Sequence, residues 1–533
     1  MNENILFWKI FAKRTALCYF LIITLFLICI LRIAVISSND YSAVTLNQNY
    51  YRLKIANLRG TVFDKNMIPL TNNTKKIIAC VSPTPRAITG ISAVLKNQEL
   101  KNVLERLKDG KPVLCEVPKK INCDGIVCIG VYDSVNTVAL HTVGLVDSSG
   151  DGIMGIEKAY NELLKGEEAE ILYECDGKGN ILEGASPSLQ NDTSIVAKGV
   201  VSTIDINLQT IAENSAKAIS KGAIVVADVK TGKIRACVSM PNFDKQNMGE
   251  ALSNEDSPFL NRAVNTYNVG SVFKPCVAAA GIEANKDSFL YNCSGSCEII
   301  DRVFKCHKLE GHGYLELKGA IAQSCNTFFY NFSFNVGAEN ILKTANNLKF
   351  GKGLKLCENI QTASGNLPSL DTLKNIAQLA NFSIGQGELL LSPISMLTLY
   401  CAIANNGIYY TPTIVEGTVK DGKFHEYGIG NPTRAFSKET AEKLKDFLKE
   451  VLLEGTGTDA LPKTVTAAGK TATAQTGKFL NGTEICQGWF CGFFPEKDPQ
   501  FAVIIFSENT LLQTKTCSQI FAEIADNITE IMS

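Results

Sequence analysis

Seven residues in three short stretches carry side chains that could do acyl-transfer chemistry together. Ser271 and Lys274 lie three apart in YNVGSVFKPCVAAAG, the only place in the 533-residue chain where a lysine follows a serine at that distance. Residues three apart share a helical face, so the hydroxyl and the amine can come within hydrogen-bond reach. A lysine desolvated there loses proton affinity and can act as a base toward the hydroxyl. The plainer reading makes Ser271 a helix N-cap, with Pro275 in the first turn of a helix that is apolar on every side and hence buried. That reading leaves Lys274 unexplained, because a cation in a first turn opposes the helix dipole and costs free energy when buried. Further on, Ser324 and Asn326 stand two apart in the helical-looking run AIAQSCNTFFYNF. Lys470, Thr471 and Thr473 then lie on a strand-like segment, TVTAAGKTATAQ.

A serine with a lysine three on, then Ser-x-Asn, then Lys-Thr-small on a strand, in this order, resembles the signature of the penicillin-recognising serine acyl transferases. Two similar triplets fall outside it. Lys230-Thr231-Gly232 precedes Ser271 and reads as a hairpin turn, whereas Ser333-Phe334-Asn335 shares the run with Ser324, and only the phrase QSCN, by resemblance, favours Ser324. The likeness extends over nearly everything after residue 58 and is to the class B penicillin-binding proteins, the monofunctional peptidoglycan D,D-transpeptidases. RGTVFDKNMIPLT (59 to 71) resembles their first N-terminal motif and HTVGLVDSSGDGIMGIEKAYNELLKG (141 to 166) their pedestal signature. NRAVNTYNVGSVFKP, SIGQGELLLSPISM, EGTGTDA and GWFCGFFPEKDP match the transpeptidase domain.

The resemblance implies an α+β chain: an N-terminal membrane helix, an α+β pedestal of the dimerisation type, and a transpeptidase domain built on a five-stranded antiparallel sheet flanked by helices. It implies Ser271 as the nucleophile toward D-Ala-D-Ala stem peptides and Lys274 as its base. Ser324 would pass the proton toward the leaving amine, and Asn326 would hold the substrate amide and contact Lys274. Lys470, Thr471 and Thr473 would bind the terminal carboxylate, the nearby ammonium groups would lower the pKa of Lys274, and the backbone N–H groups of Ser271 and Thr473 would form an oxyanion hole. β-Lactams are the implied inhibitors, and a SEDS-family glycosyltransferase the implied partner. Two positions depart from the pattern: Ala472 replaces the glycine of Lys-Thr-Gly, and Val269 replaces a proline before Gly270. A lactamase or β-lactam sensor on the same fold is a rival, but no glutamate after Ser271 has an asparagine three later to serve a class A deacylation. A catalytically inactive scaffold is a second rival, with Ala472 its only support.

The elements that must position these groups are legible in outline. Thr15 to Ile36 reads TALCYFLIITLFLICILRIAVI, long enough to cross about 30 Å of hydrocarbon, so we expect a tail at 1–14 inside, an uncleaved anchor at 15–36 and the remainder outside the cytoplasm. Residues 37–200 read as the pedestal and 201–533 as the transpeptidase domain. In the latter, TIDINLQTIAENSAKAI is an amphipathic helix with Asp205 as its cap, GAIVVADVKTGKIRACVSM two strands around a turn, and the C-terminal third supplies further strands and a last helix with apolar Ile520, Phe521, Ile524 and Ile528. A net charge of −1 gives no reason to expect nucleic acid. Eighteen cysteines are many. Cys276, Cys325 and Cys401 read as buried small hydrophobes, whereas Cys293, Cys297 and Cys306, followed by His307 and His312, form a dense set for which a loop disulfide is preferred over a zinc site. No HExxH or paired CxxC occurs, so neither a catalytic metal nor a cofactor is expected.

Overall fold

The computed structural model describes residues 2–38, 50–134, 138–176, 180–182, 187–190, 198–480 and 482–533. Helix α1, Asn2–Ser38, contains a segment from Ile5 to Ser38 whose most apolar window has a mean hydropathy of 2.8, and none of that window is buried. It is long and apolar enough to cross a membrane.

The rest forms two compact units that interleave along the chain. One comprises, besides α1, residues up to 56, 76–131 and 168–193; the other comprises 57–75, 132–167 and 194–533. In the first, helices Pro85–Ser92 and Asn97–Leu107 pack Ala87, Ile91, Val103 and Leu107 against a three-stranded sheet of order 113–117, 74–81, 126–133. In the second, the motifs at 59 to 71 and 141 to 166 meet: Arg59 Nε lies 2.6 Å from Glu157 Oε2 and its Nη2 donates to the Glu157 carbonyl at 2.9 Å. Strand Thr61–Phe63 pairs parallel with Gly199–Ser202, which pairs antiparallel with Val415–Lys420.

The second unit centres on a five-stranded antiparallel sheet made of β1 (Gly222–Asp228), β2 (Ile234–Met240), β3 (Ala468–Leu480), β4 (Thr483–Phe494) and β5 (Phe501–Ser507), in the order β2-β1-β5-β4-β3. Strands from both ends of the unit therefore meet, and β3 lies at an edge. β1 and β5 are apolar almost throughout, as strands covered on both faces must be. Helices α2 (Ile206–Ala216) and α7 (Cys517–Met532) pack together against the sheet; Asp205 caps α2 by accepting from Asn207 and Leu208, and Phe521 of α7 stacks 4.4 Å from Phe490 of β4. Between them in sequence come the buried α3 (Lys274–Glu283), α4 (Asn326–Val336), α5 (Pro393–Ala404), which also packs on the sheet, and α6 (Lys438–Leu453), which packs along β3 and α5. The 230–232 triplet is the β1–β2 turn: Gly232 has φ +73° and Lys230 pairs with Asp498 at 2.9 Å.

Candidate active site

Ser271 does not cap α3. It lies in a 3-10 turn, Gly270–Phe273, and the helix begins at Lys274 with no side-chain cap. The hydroxyl lines a cleft of about 490 Å³ instead, with Ser324, Asn326, Thr471, Ala472 and Thr473. Several long-range contacts hold this turn. Trp489 Nε1 of β4 donates to the Asn268 carbonyl at 2.9 Å, Tyr400 of α5 donates to the Val272 carbonyl at 3.1 Å, and Phe273 is wedged against Phe382, with ring centroids 5.0 Å apart. Gly270 (φ +60°) donates its N–H to the Gly385 carbonyl at 2.9 Å, and Gly385 (φ +73°) approaches so closely that a Cβ there would lie 2.1 Å from the Gly270 oxygen. The glycines of SIGQG thus serve backbone proximity to the serine turn.

Lys274 is fully buried because every residue from it to Ile282 is buried. Its amine makes no hydrogen bond to Ser271. It donates to the Ser324 carbonyl at 2.6 Å, to Ser324 Oγ at 3.2 Å and to Asn326 Oδ1 at 2.7 Å, and sits 5.4 Å over the Phe329 ring. With all three partners neutral, burial dominates and brings the pKa down to about 7, opposed by the negative charge that Cys325 and Cys306 carry as thiolates. The anticipated cause, a neighbouring ammonium, acts in the other direction: Lys470 is pushed well below the usual lysine range, first by its own burial and then by the charge on Lys274.

Ser324 is not inside a helix, and Asn326 is the first residue of one. A short helix, Leu317–Ala322, ends before them and α4 begins at Asn326, so Ser324 forms the break with a left-handed φ of +54°. That conformation turns both side chains toward Lys274. Ser333 donates inward to the Tyr330 carbonyl at 2.7 Å and is fully buried, which removes the competing Ser-x-Asn.

On the edge strand β3 the side chains alternate. Lys470, Ala472 and Ala474 are buried on one face, and Thr471 and Thr473 point the other way. Lys470 Nζ donates to the Thr471 carbonyl at 3.1 Å and lies 3.4 Å from Thr456 Oγ1, which is itself 2.9 Å from Thr471 Oγ1. The Ala472 methyl lies on the Lys470 face, toward Gly270: a methyl built on Gly270 would come within 3.4 Å of it. The extra carbon therefore packs under the serine turn. Thr456 carries no motif signal of its own, although the Gly-Thr-Gly-Thr of EGTGTDA marks a tight turn there; its N–H donates to the Ala322 carbonyl at 3.1 Å.

All eighteen cysteines are free, so the preferred loop disulfide is not formed. Cys293 and Cys306 converge instead with His312 and with Cys325, the middle residue of Ser-Cys-Asn, while Cys297 stays outside the group. Cys276 and Cys401 are buried core residues as expected, and Cys325 is buried but faces this cluster.

Comparison with known proteins gives a consistent picture. Residues 222–530, more than half the chain, match the penicillin binding protein transpeptidase domain. Stage V sporulation protein D of Bacillus subtilis is 27% identical over 515 residues, 88% of this chain and 77% of that protein. Peptidoglycan D,D-transpeptidase MrdA of Acinetobacter baumannii is 27% identical over 407 residues, 67% of this chain and 57% of that one. Penicillin-binding protein 3 of Mycobacterium tuberculosis, solved with aztreonam, superposes with a TM-score of 0.67 at 22% identity, covering 90% of this chain and 97% of that one.

Proposed function

Because the chain belongs to the penicillin-binding transpeptidases and is a peptidoglycan D,D-transpeptidase, we propose that Ser271 is its nucleophile and Lys274 the base that activates it. Ser271 Oγ attacks the carbonyl carbon of the penultimate D-alanine of a stem peptide. The C–N bond to the terminal D-alanine breaks, the departing amine takes the proton relayed from Lys274 through Ser324, and an ester remains on the serine. An amine from a neighbouring strand then attacks the ester, forms the cross-link and returns the proton to Ser271. Asn326 holds Lys274 and the substrate amide, Lys470, Thr471 and Thr473 receive the terminal carboxylate, and the N–H groups of Ser271 and Thr473 face the developing oxyanion. One such donor is typically worth about 3 kcal/mol.

The observation that carries this reading is a fully buried lysine bonded only to neutral oxygens, with its pKa brought to about 7 beside a serine that opens on a cleft. A structural lysine would be exposed or paired with a carboxylate. β3 supports substrate binding as well: an edge strand leaves one row of backbone groups free to pair with an extended peptide. By the same reading α1 anchors the chain with residues 1–14 inside and the catalytic unit outside the cytoplasm. Residues 37–200 act as a pedestal and 201–533 as the transpeptidase domain, alongside a SEDS-family glycosyltransferase that supplies glycan strands. β-Lactams acylate Ser271 as stem-peptide mimics.

Intact-mass analysis of the detergent-purified chain after incubation with benzylpenicillin tests the assignment. The expected result is one drug adduct, absent in Ser271→Ala. An adduct that persists in the variant refutes the nucleophile, and drug consumed without an adduct means a lactamase.

A further inference from the structure

We propose that Cys293, Cys306, His312 and Cys325 bind one zinc ion as a closed four-ligand site, and that this ion fixes the turn carrying Ser324 and Asn326. The second half rests on the roles given above to those two residues.

The geometry is that of a ligand set. His312 Nδ1 lies 3.5 Å from Cys293 Sγ and 3.6 Å from Cys306 Sγ, Cys306 Sγ lies 3.9 Å from Cys325 Sγ, and all four donor atoms fall within 4.8 Å of one another. A tetrahedral ion with Zn–S of about 2.3 Å and Zn–N of about 2.0 Å separates its ligands by about 3.5 to 3.8 Å. A disulfide accounts for less: its sulfurs must stand about 2.05 Å apart, and any pair it joined would leave the other sulfur and the imidazole converging on nothing. Three thiols and an imidazole on a tetrahedron select zinc over harder cations. The surroundings are those of thiolate ligands, which are usually steadied by outer hydrogen bonds. Thr327 Oγ1 donates to Cys293 Sγ at 3.1 Å, the Phe328 N–H to Cys325 Sγ at 3.5 Å, and the backbone amides of Lys308 and Asn326 to Cys306 Sγ. Three of the ligand residues are buried and His312 is half-buried, leaving no open position for a substrate.

The position in the fold says what the ion does. Cys293, Cys306 and His312 come from one excursion of the chain, where strand Tyr291–Cys293 pairs with Gly313–Leu315 and Ser296–Ile299 with Arg302–Lys305. These are two-stranded ribbons, which are marginal without a further tie. Cys325 lies between the two residues that bond Lys274, next to Ser324 in its left-handed conformation. A metal bond at Cys325 therefore clamps the excursion to the turn and holds Ser324 and Asn326 on Lys274.

The test measures metal by mass spectrometry on the detergent-solubilised full chain, purified with thiols kept reduced. We expect about one zinc per chain, lost in Cys306→Ser and in His312→Ala and retained in Cys297→Ser, the neighbouring cysteine outside the cluster. Replacement by cobalt should give thiolate-to-cobalt charge-transfer bands and the visible absorption of a tetrahedral ion, a readout that needs no variant to fold. A wild-type chain that neither contains zinc nor gives the cobalt spectrum overturns the site, as does zinc content that falls equally in Cys297→Ser. Removal of zinc by a chelator should slow acylation by benzylpenicillin about tenfold, the scale of a lost outer support, with recovery on zinc addition. Unchanged acylation of the stripped chain overturns the positioning role and leaves the metal site standing. Absence of acylation in the zinc-loaded chain would instead refute the transpeptidase reading, without touching the metal measurement.

Discussion

Replacing Gly385 by alanine separates two costs that are usually confounded at glycine. Its φ of +73° imposes on alanine the left-handed penalty of about 1–2 kcal/mol. Gly422, in the turn between Val415–Lys420 and Lys423–Glu426, has φ +72° and pays the same penalty, but a methyl there meets nothing within 4 Å. At Gly385 the methyl would lie 2.1 Å from the Gly270 oxygen and 2.8 Å from the Gly270 nitrogen, both of them backbone atoms. Relief requires the two segments to part by about 1 Å, and the segment that moves is the one carrying Ser271; a displacement of that size at a reacting group costs about 100-fold in rate. That factor is about 2.7 kcal/mol of barrier. Thermal unfolding and the second-order rate of benzylpenicillin acylation should therefore diverge. Gly422→Ala loses stability and keeps its rate, whereas Gly385→Ala loses somewhat more stability and about 100-fold in rate. A folded Gly385→Ala that acylates within about threefold of wild type, or a Gly422→Ala that is equally slow, would refute the argument that Gly385 positions the serine turn.

Acylation should also report the protonation of Lys274. With the pKa near 7, the free amine grows from about a tenth of the population at pH 6 to about nine tenths at pH 8, so the rate should rise roughly tenfold between those values; a flat profile, or one still climbing past pH 9, contradicts a buried base of this kind. Ala472→Gly should leave labelling by a fluorescent penicillin intact, because the Ala472 methyl packs beneath Gly270 on the face away from Thr471 and Thr473; loss of labelling would show that the methyl shapes the cleft itself.

What the sequence disclosed depended on how local the cause was. Asp205 before an amphipathic run, the two β-branched apolar runs around a turn in 222–240 and the apolar stripe Ile520, Phe521, Ile524 and Ile528 are determined within a dozen residues, and each formed the expected element. The motif residues could be found because their order along the chain is itself a signature. The break at Ser324 was hidden because neither Gly nor Pro marks its left-handed serine in an otherwise helical-looking run. The Cys293–Cys306–His312–Cys325 group was visible only in part: its first three members belong to the dense set in the sequence, but Cys325 was not legible as their partner. Cys325 lies in a run whose hydrophobicity made it look like ordinary core, so only the distances bring it into the set and leave Cys297 out. The interleaved units likewise follow from pairings such as Thr61 with Gly199, about which no local pattern carries information.

Two buried lysines in one site pose a problem that the fold does not solve alone. Lys274 and Lys470 are both fully buried, and among the described residues neither forms an ion pair with a carboxylate. The charge on Lys274 suppresses the charged form of Lys470, so the site favours fewer than two ammonium groups on the pair. Under the proposed roles the missing counter-charge is the substrate's own terminal carboxylate. Its arrival beside Thr471 and Thr473 favours an ammonium at Lys470, and that charge in turn favours the free amine at Lys274, the form able to take the serine proton. Burial of α3 is thus part of the chemistry: an exposed helix that left Lys274 hydrated would keep it protonated at neutral pH, with the serine in the same place and no base beside it.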